Sequence, residues 1–246
     1  MENHLGPLDD FAFLSDRAYV LTSPIPDPCF RVFTFNAKPK RFAPTLRATL
    51  RLPALHDAAS VALLSIHTGP FTTTFQQSRG RPKPFMNAPH CRIHIANVEL
   101  LDDHGPAGTC LIVIHNRTLL SFVSEAEPVD VVWDDWGPDN TRWLLGGTGS
   151  SWLRYVHGER LVRLQAHVDN GPRRLEVYDF GAPRVPYSWL TAEEHASMHQ
   201  TQTIVFDTVF TAPILSRLPC RTLIKEGAFP YSGFMIDDER LIGLRV

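Results

Sequence analysis

Short apolar runs broken by turn residues recur along this chain, and almost none is long enough for a helix. The spacing is most even between Val129 and Phe180. There, Thr141–Leu145, Trp152–His157, Arg160–Ala166 and Arg174–Phe180 each read as a strand rich in β-branched and aromatic residues. Gly146-Gly147, His157-Gly158-Glu159 and Asp169-Asn170-Gly171-Pro172 separate them. Glycine and asparagine in these turns accept positive φ, and proline presets a turn position. Four strands in about fifty residues is the size of one propeller blade.

The same punctuation organises the rest. Phe11–Leu14, Ala18–Thr22 and Phe30–Phe35 form a three-strand meander, with Phe30, Val32 and Phe35 its larger apolar contributors and a proline-rich loop at Pro24–Pro28. In Thr45–Leu52 the residues Leu46, Ala48, Leu50 and Leu52 alternate with polar ones, as in a half-buried strand. Ala59–His67 is more continuously apolar and reads as a central strand. Phe71–His90, with Gly80, Pro82, Pro84 and Pro89, is a long surface loop carrying Arg79, Arg81 and Lys83. Arg92–Leu100 is a strand, and Thr109–His115 with Thr118–Val123 makes a hairpin across Asn116-Arg117. Ser188–Gln200 is the one convincing helix, with Thr191 and Glu194 spaced as a capping box. Thr201–Phe210, Arg221–Lys225, Gly233–Ile236 and Arg240–Val246 complete about fifteen strands. The expected fold is all-β: a sandwich, barrel or propeller, with the grouping of strands favouring a β-propeller-like array, complete or incomplete, as a single domain over residues 1–246. The terminal strand Leu241–Val246 is expected to pair with the N-terminal meander.

Composition narrows the function classes. The chain has 246 residues, 43% apolar and 20% charged, which suffices for a core without staples. A formal charge of −2 supplies no bulk field toward nucleic acid or an anionic membrane, and neither is an expected partner. No apolar run approaches the ~18 residues of a spanning helix, and the N-terminus lacks the pattern of a signal peptide. Cys29, Cys91, Cys110 and Cys220 are scattered without a C-x-x-C pair, as reduced thiols of a cytoplasmic or nuclear protein would be.

Candidate chemistry is thin. His195 and His199 lie i, i+4 on the expected helix, but Ala196 stands where a metalloprotease helix carries Glu. On a strand, Cys91 and His94 fall on opposite faces, so the His90, Cys91, His94 group does not converge. Ser150 and Ser151 lack a nucleophile elbow, and the Gly146–Gly149 run lacks the ending of a phosphate loop. Asp134 and Asp135 are a carboxylate pair whose adjacent positions diverge in an extended chain; the simpler reading is capping of a turn. No catalytic residue, metal site or cofactor is expected. Four of the five tryptophans, Trp133, Trp136, Trp143 and Trp152, cluster, and Trp189 stands apart. Such aromatics serve core packing first and contact faces second. The weak binding candidates are Trp133, Asp135, Trp136 and Arg142, with Arg79 and Arg81 of the long loop. Arg142 is placed to hold Asp134 or Asp135, with Trp133–Trp143 read as a turn leading into a strand.

The run Val131-Val-Trp-Asp-Asp-Trp-Gly-Pro-Asp-Asn-Thr-Arg-Trp143 resembles the W-x-D-W-G-P-x-x-T-R signature of basidiomycete F-box-type proteins. His157-Gly-Glu-Arg160, Leu175-Glu-Val-Tyr-Asp-Phe180 and Gly233-Phe-Met-Ile-Asp-Asp-Glu-Arg-Leu-Ile-Gly-Leu244 are similar to later marks of that family, in the same order. The resemblance spans most of residues 9–246 and implies a β-propeller-like region that follows an F-box. It implies a non-catalytic module that recruits a protein partner for a ubiquitin ligase. The F-box helices themselves have no counterpart here, so binding of the Skp-type adaptor is not expected from this chain. The alternative is an enzyme or small-ligand binder with its pocket at a propeller axis.

Overall fold

The computed structural model describes residues 10–35, 43–69, 91–146, 155–165, 173–181, 197–237 and 240–245. Its described residues gather into two compact units. One takes in Met1–His67, His94–Leu145 and Thr201–Leu218; the other Thr68–Ile93, Gly146–Gln200 and Pro219–Val246. Both are built of small sheets, and the fold is all-β and propeller-like.

In the first unit, β1 (Phe11–Phe13), β2 (Ala18–Ser23), β3 (Cys29–Thr34) and β4 (Thr45–Arg51) form an antiparallel meander in chain order. Alternation buries Ala18 and Val20 on β2, Phe30 and Val32 on β3, and Ala48 and Leu50 on β4. A register shift at Val32/Phe33 sets Leu46 opposite Phe33 and leaves Arg47 as the extra residue of β4. Phe33, on the face of β3 opposite Val32, is buried by stacking on its cross-strand neighbour Tyr19, and the half-buried Phe35 packs against the same ring.

The second sheet of this unit contains β5 (Ser60–Thr68), β6 (Ile93–Asp102) and β7 (Gly105–His115). Here β5 is not the central strand its apolar run suggests. It stands at the edge and pairs with β6 alone among the described strands, while β6 is buried on both faces through most of its length. Gly105, at φ 116°, continues the turn after β6 in a conformation open mainly to glycine.

No hairpin follows His115. Instead α1 (Asn116–Ser121) and a 3₁₀ turn at Phe122–Ser124 occupy the expected strand Thr118–Val123. The run Thr-Leu-Leu-Ser-Phe-Val fits either period over so few residues. Tertiary contact decides: Leu119 is fully buried, and Leu120, Phe122 and Val123 pack on the core of the unit. Asn116 is no turn residue either. Its side chain is buried, joined to His94 Nε2 at 2.9 Å and donating to the Leu14 carbonyl at 3.2 Å.

Next, β8 (Val129–Val131) joins β4 in parallel, α2 (Trp133–Asn140) follows, and β9 (Thr141–Leu145) pairs antiparallel with β7. The even-spaced stretch is thus not a single blade, because its first strand completes the preceding sheet β5-β6-β7-β9. In the second unit, β10 (Val156–His157), β11 (Arg160–Gln165) and β12 (Arg173–Asp179) begin a new antiparallel sheet. Back in the first unit, β13 (Gln202–Ile204) pairs with β14 (Ile214–Ser216). In the second, β15 (Arg221–Gly227) adds to β12, and β16 (Gly233–Ile236) forms a hairpin with β17 (Leu241–Leu244). The terminal strand therefore pairs with its own neighbour in sequence and not with the N-terminal meander. Asp237 closes this hairpin by accepting from the Arg240 amide at 2.7 Å. The helix expected at 188–200 lies outside the described residues except near its end, where 197–198 are helical.

A buried ion pair ties β11 to β12. Arg163 and Glu176 face each other across the ladder, with Nε 2.5 Å from Oε2. Tyr178 donates to the same carboxylate at 2.8 Å and accepts from Arg163 at 3.0 Å, so the pair keeps its hydrogen bonds inside the sheet. Burial pushes the Tyr178 phenol up to about 12. Among the described residues no helix is long and apolar enough to cross a membrane.

Candidate functional site

The tryptophan-rich signature forms a helix because its two ends are chemically suited to one. Trp133 and Trp136 stand three residues apart on one face and are both buried. Asp134 and Asp135 occupy the first turn, where carboxylates complement the helix dipole. Pro138 lacks the N–H of a regular ladder, and the last carbonyls find other donors. Asn140 Nδ2 reaches the Trp136 carbonyl at 2.8 Å, Thr141 Oγ1 the Gly137 carbonyl at 2.8 Å, and the Arg217 amide the Pro138 carbonyl at 2.7 Å. The expectation of an extended turn is corrected here: the adjacent aspartates sit on a helix, and the tryptophans point into the core.

Those tryptophans continue an edge-to-face series. Phe30 meets Trp136 at 6.1 Å, Trp136 meets Trp133 at 5.4 Å, Trp133 meets Trp143 at 5.7 Å, and Trp143 meets Phe210 at 5.8 Å. Interplanar angles of 79–88° place positive ring edges on negative ring faces throughout. Trp136 also donates its indole N–H to the Arg51 carbonyl at 2.9 Å, which joins α2 to the end of β4.

Beside the N-terminus of α2 lies a groove of about 580 Å³ within the first unit. Three segments far apart in sequence wall it: Pro26–Pro28, Arg51–Asp57 and Thr211–Ile214. Val132, Trp133 and Asp134 supply the helix side. The second and third walls are held together by backbone bonds. The His56 amide donates to Val209 at 2.9 Å, and Thr211 donates to Ala54 through its amide at 3.0 Å and its hydroxyl at 3.3 Å.

The groove has apolar and proline-rich walls with a negative rim. Asp27, Asp57 and Asp134 line it against one guanidinium, Arg51. That guanidinium is already engaged. It grips Asp130 through Nε at 2.8 Å and Nη2 at 2.7 Å, and Asp27 through Nη1 at 2.9 Å. The fork raises the affinity of Arg51 for its proton, and the Arg51 hydrogen bond holds the Asp130 carboxyl below the usual carboxylate range. Asp57, Asp134 and His56 remain as the polar groups facing a guest, beside Pro53, Pro213 and Val132.

The sequence-based candidates separate on this geometry. Trp133 lines the groove; Trp136 lies in the core behind it. Asp134 reaches the rim, while Asp135 is exposed on α2 outside the lining. Arg142 is buried on β9 and donates to the Ser216 carbonyl at 3.3 Å. Arg79, Arg81, Trp152, Trp189, Ser150, Ser151, His90 and His195 lie outside the described residues. His94 is fully buried and joined to Asn116, and no group of three or more potential metal ligands occurs among the described residues. Buried Cys110 has its thiol pushed up to about 12 by desolvation, which makes it a packing residue rather than a nucleophile. Sequence reasoning missed Asp27, Arg51, His56, Asp57 and the Thr211–Ile214 wall. The one local signal was proline placement at Pro26, Pro28, Pro53 and Pro213, which marks loops without saying that they meet.

Comparison with protein families, curated proteins and solved structures found no match to this chain.

Proposed function

We propose that this chain is a non-catalytic protein-interaction module that seats an extended, basic segment of a partner polypeptide in the groove beside α2. One observation carries the reading: proline and aliphatic walls are joined to a rim on which three carboxylates face one arginine already shared between Asp27 and Asp130. Apolar walls and prolines suit a chain lying extended. The uncompensated rim favours Lys or Arg on that chain and disfavours acidic competitors. The resemblance to basidiomycete F-box-type proteins supplies the specific form of the proposal, a region that recruits substrates to a ubiquitin ligase.

The test uses paired synthetic peptides of one apolar framework carrying Lys and Arg, or Asp and Glu, with binding read by fluorescence anisotropy. The basic series should bind and weaken with salt, since exposed pairs are screened. Asp57→Asn with Asp134→Asn should lower affinity about 2- to 10-fold, the scale of two rim contacts. Equal binding of both series, or affinity indifferent to these two substitutions, rejects the groove as the docking site. Affinity capture from a basidiomycete extract, with adaptor and cullin scored, tests the ligase form separately.

A further inference from the structure

The second unit presents an unusual edge. β15 (Arg221–Gly227) pairs with β12 along its whole length, and no other described strand takes its outer side. Six of its seven residues are exposed, including Leu223 at 58% and Ile224 at 48%. Successive residues point to opposite faces, so both faces of the sheet are open at this margin. The outward N–H and C=O groups of alternate residues form a template for another strand. Natural edges are commonly blunted by proline, a bulge, short length or charge; this one is straight, seven residues long and free of proline, so its protection rests on Arg221, Lys225 and Glu226.

We propose that two copies of this chain join through β15, antiparallel and centred on Ile224, to extend the sheet β10-β11-β12-β15 into its counterpart. The strand's own sequence selects that register. Facing residues of an antiparallel pair lie on the same side of the sheet, so a two-fold arrangement must be centred on a residue. Centred on Leu223, Arg221 faces Lys225; on Lys225, two ammonium groups meet; on Glu226, two carboxylates meet. Like charges directly opposite oppose pairing. Centring on Thr222 leaves only Arg221–Leu223 in register.

The Ile224 register alone uses all seven residues and sets no like charges opposite. Ile224 then meets Ile224 of the other copy, Leu223 lies along the methylenes of Lys225, and Thr222 faces Glu226. Gly227 faces Arg221 and leaves room for its long side chain. The two Lys225 ammonium groups approach only diagonally, so moderate salt strengthens the pairing by screening them. The contact is small, and association by it is weak and concentration-dependent.

Sedimentation and light scattering from about 5 to 500 μM should show monomer passing to dimer, by mass action. Amide exchange at 221–227 should slow over the same range. Ile224→Lys places two ammonium groups at the two-fold axis and should abolish the dimer. Thr222→Lys places Lys opposite Glu226 twice and should tighten it about threefold or more. Both positions are exposed, and unchanged melting of each variant confirms that the fold is retained. A chain that stays monomeric throughout overturns the proposal. Thr222→Lys weakening association as Ile224→Lys does overturns the register, and concentration-dependent protection elsewhere with none at 221–227 overturns the surface.

Discussion

Gly137→Ala sets helix propensity against packing, and the two predict opposite signs. Gly137 lies inside α2 without a positive φ, where Ala is ordinarily better by about 0.8–1.0 kcal/mol. Yet a Cβ at this position would fall inside contact distance of the Trp133 indole, against Cε3, Cζ3 and Cδ2. That ring has little freedom. It is 8% exposed and held edge-to-face by Trp136 and Trp143. Overpacking costs about 1–3 kcal/mol, and loosening either aromatic pair adds roughly 0.5–1.5 kcal/mol. After the propensity gain is subtracted, the substitution should destabilise by about 0.5–4 kcal/mol. At roughly 2–4 °C per kcal/mol this lowers the melting midpoint by about 1–16 °C. Urea unfolding followed by tryptophan fluorescence and far-ultraviolet circular dichroism measures it. Coincidence of the two curves shows whether one transition suffices for both units. The double variant Gly137→Ala/Trp133→Leu should be no less stable than Trp133→Leu alone, a coupling of about 2 kcal/mol. A stabilised Gly137→Ala chain, or strict additivity in the cycle, would refute the wedged indole.

Two further outcomes follow from the same region. Trp136→Ala should cost ~3–5 kcal/mol, and Trp136→Phe about 1–2 kcal/mol because the Arg51 carbonyl loses its donor; an unchanged urea midpoint in the alanine variant contradicts the core placement of this ring. Asp130 has its carboxyl depressed by Arg51, so its contribution is present above the unfolded value near ~3.9 and is lost as pH falls through the folded value. With side chains 40% and 52% exposed, that contribution is a few tenths of a kcal/mol, roughly, and salt-sensitive. The stability gap between the native chain and Arg51→Gln should therefore shrink as pH is lowered from 7 to 3, and a constant gap across this range contradicts the linkage.

Local pattern by itself determined where many of the strands lie. Thr141–Leu145 and Gly233–Ile236 match their expected bounds, and the runs from Arg160 and Arg174 differ from β11 and β12 by a residue or so at their ends. Period-two alternation and turn chemistry are properties of a few neighbouring residues, and they survive in any tertiary setting. The all-β class was legible for that reason. Which strands become neighbours was not. β9 joins β7 rather than β10, and β5 takes an edge while β6 takes the centre, because backbone hydrogen bonding is the same for every strand and carries no address. Tertiary contact also chose between two local readings that the sequence permits equally. Thr118–Val123 became helix where Leu119 could be buried, and Trp133–Asn140 became helix where Arg51 and Arg217 could satisfy its indole and its last carbonyls. The groove is the extreme case. Its walls at Pro26–Pro28, Arg51–Asp57 and Thr211–Ile214 are aperiodic loops, and only the folded chain brings their carboxylates to one rim.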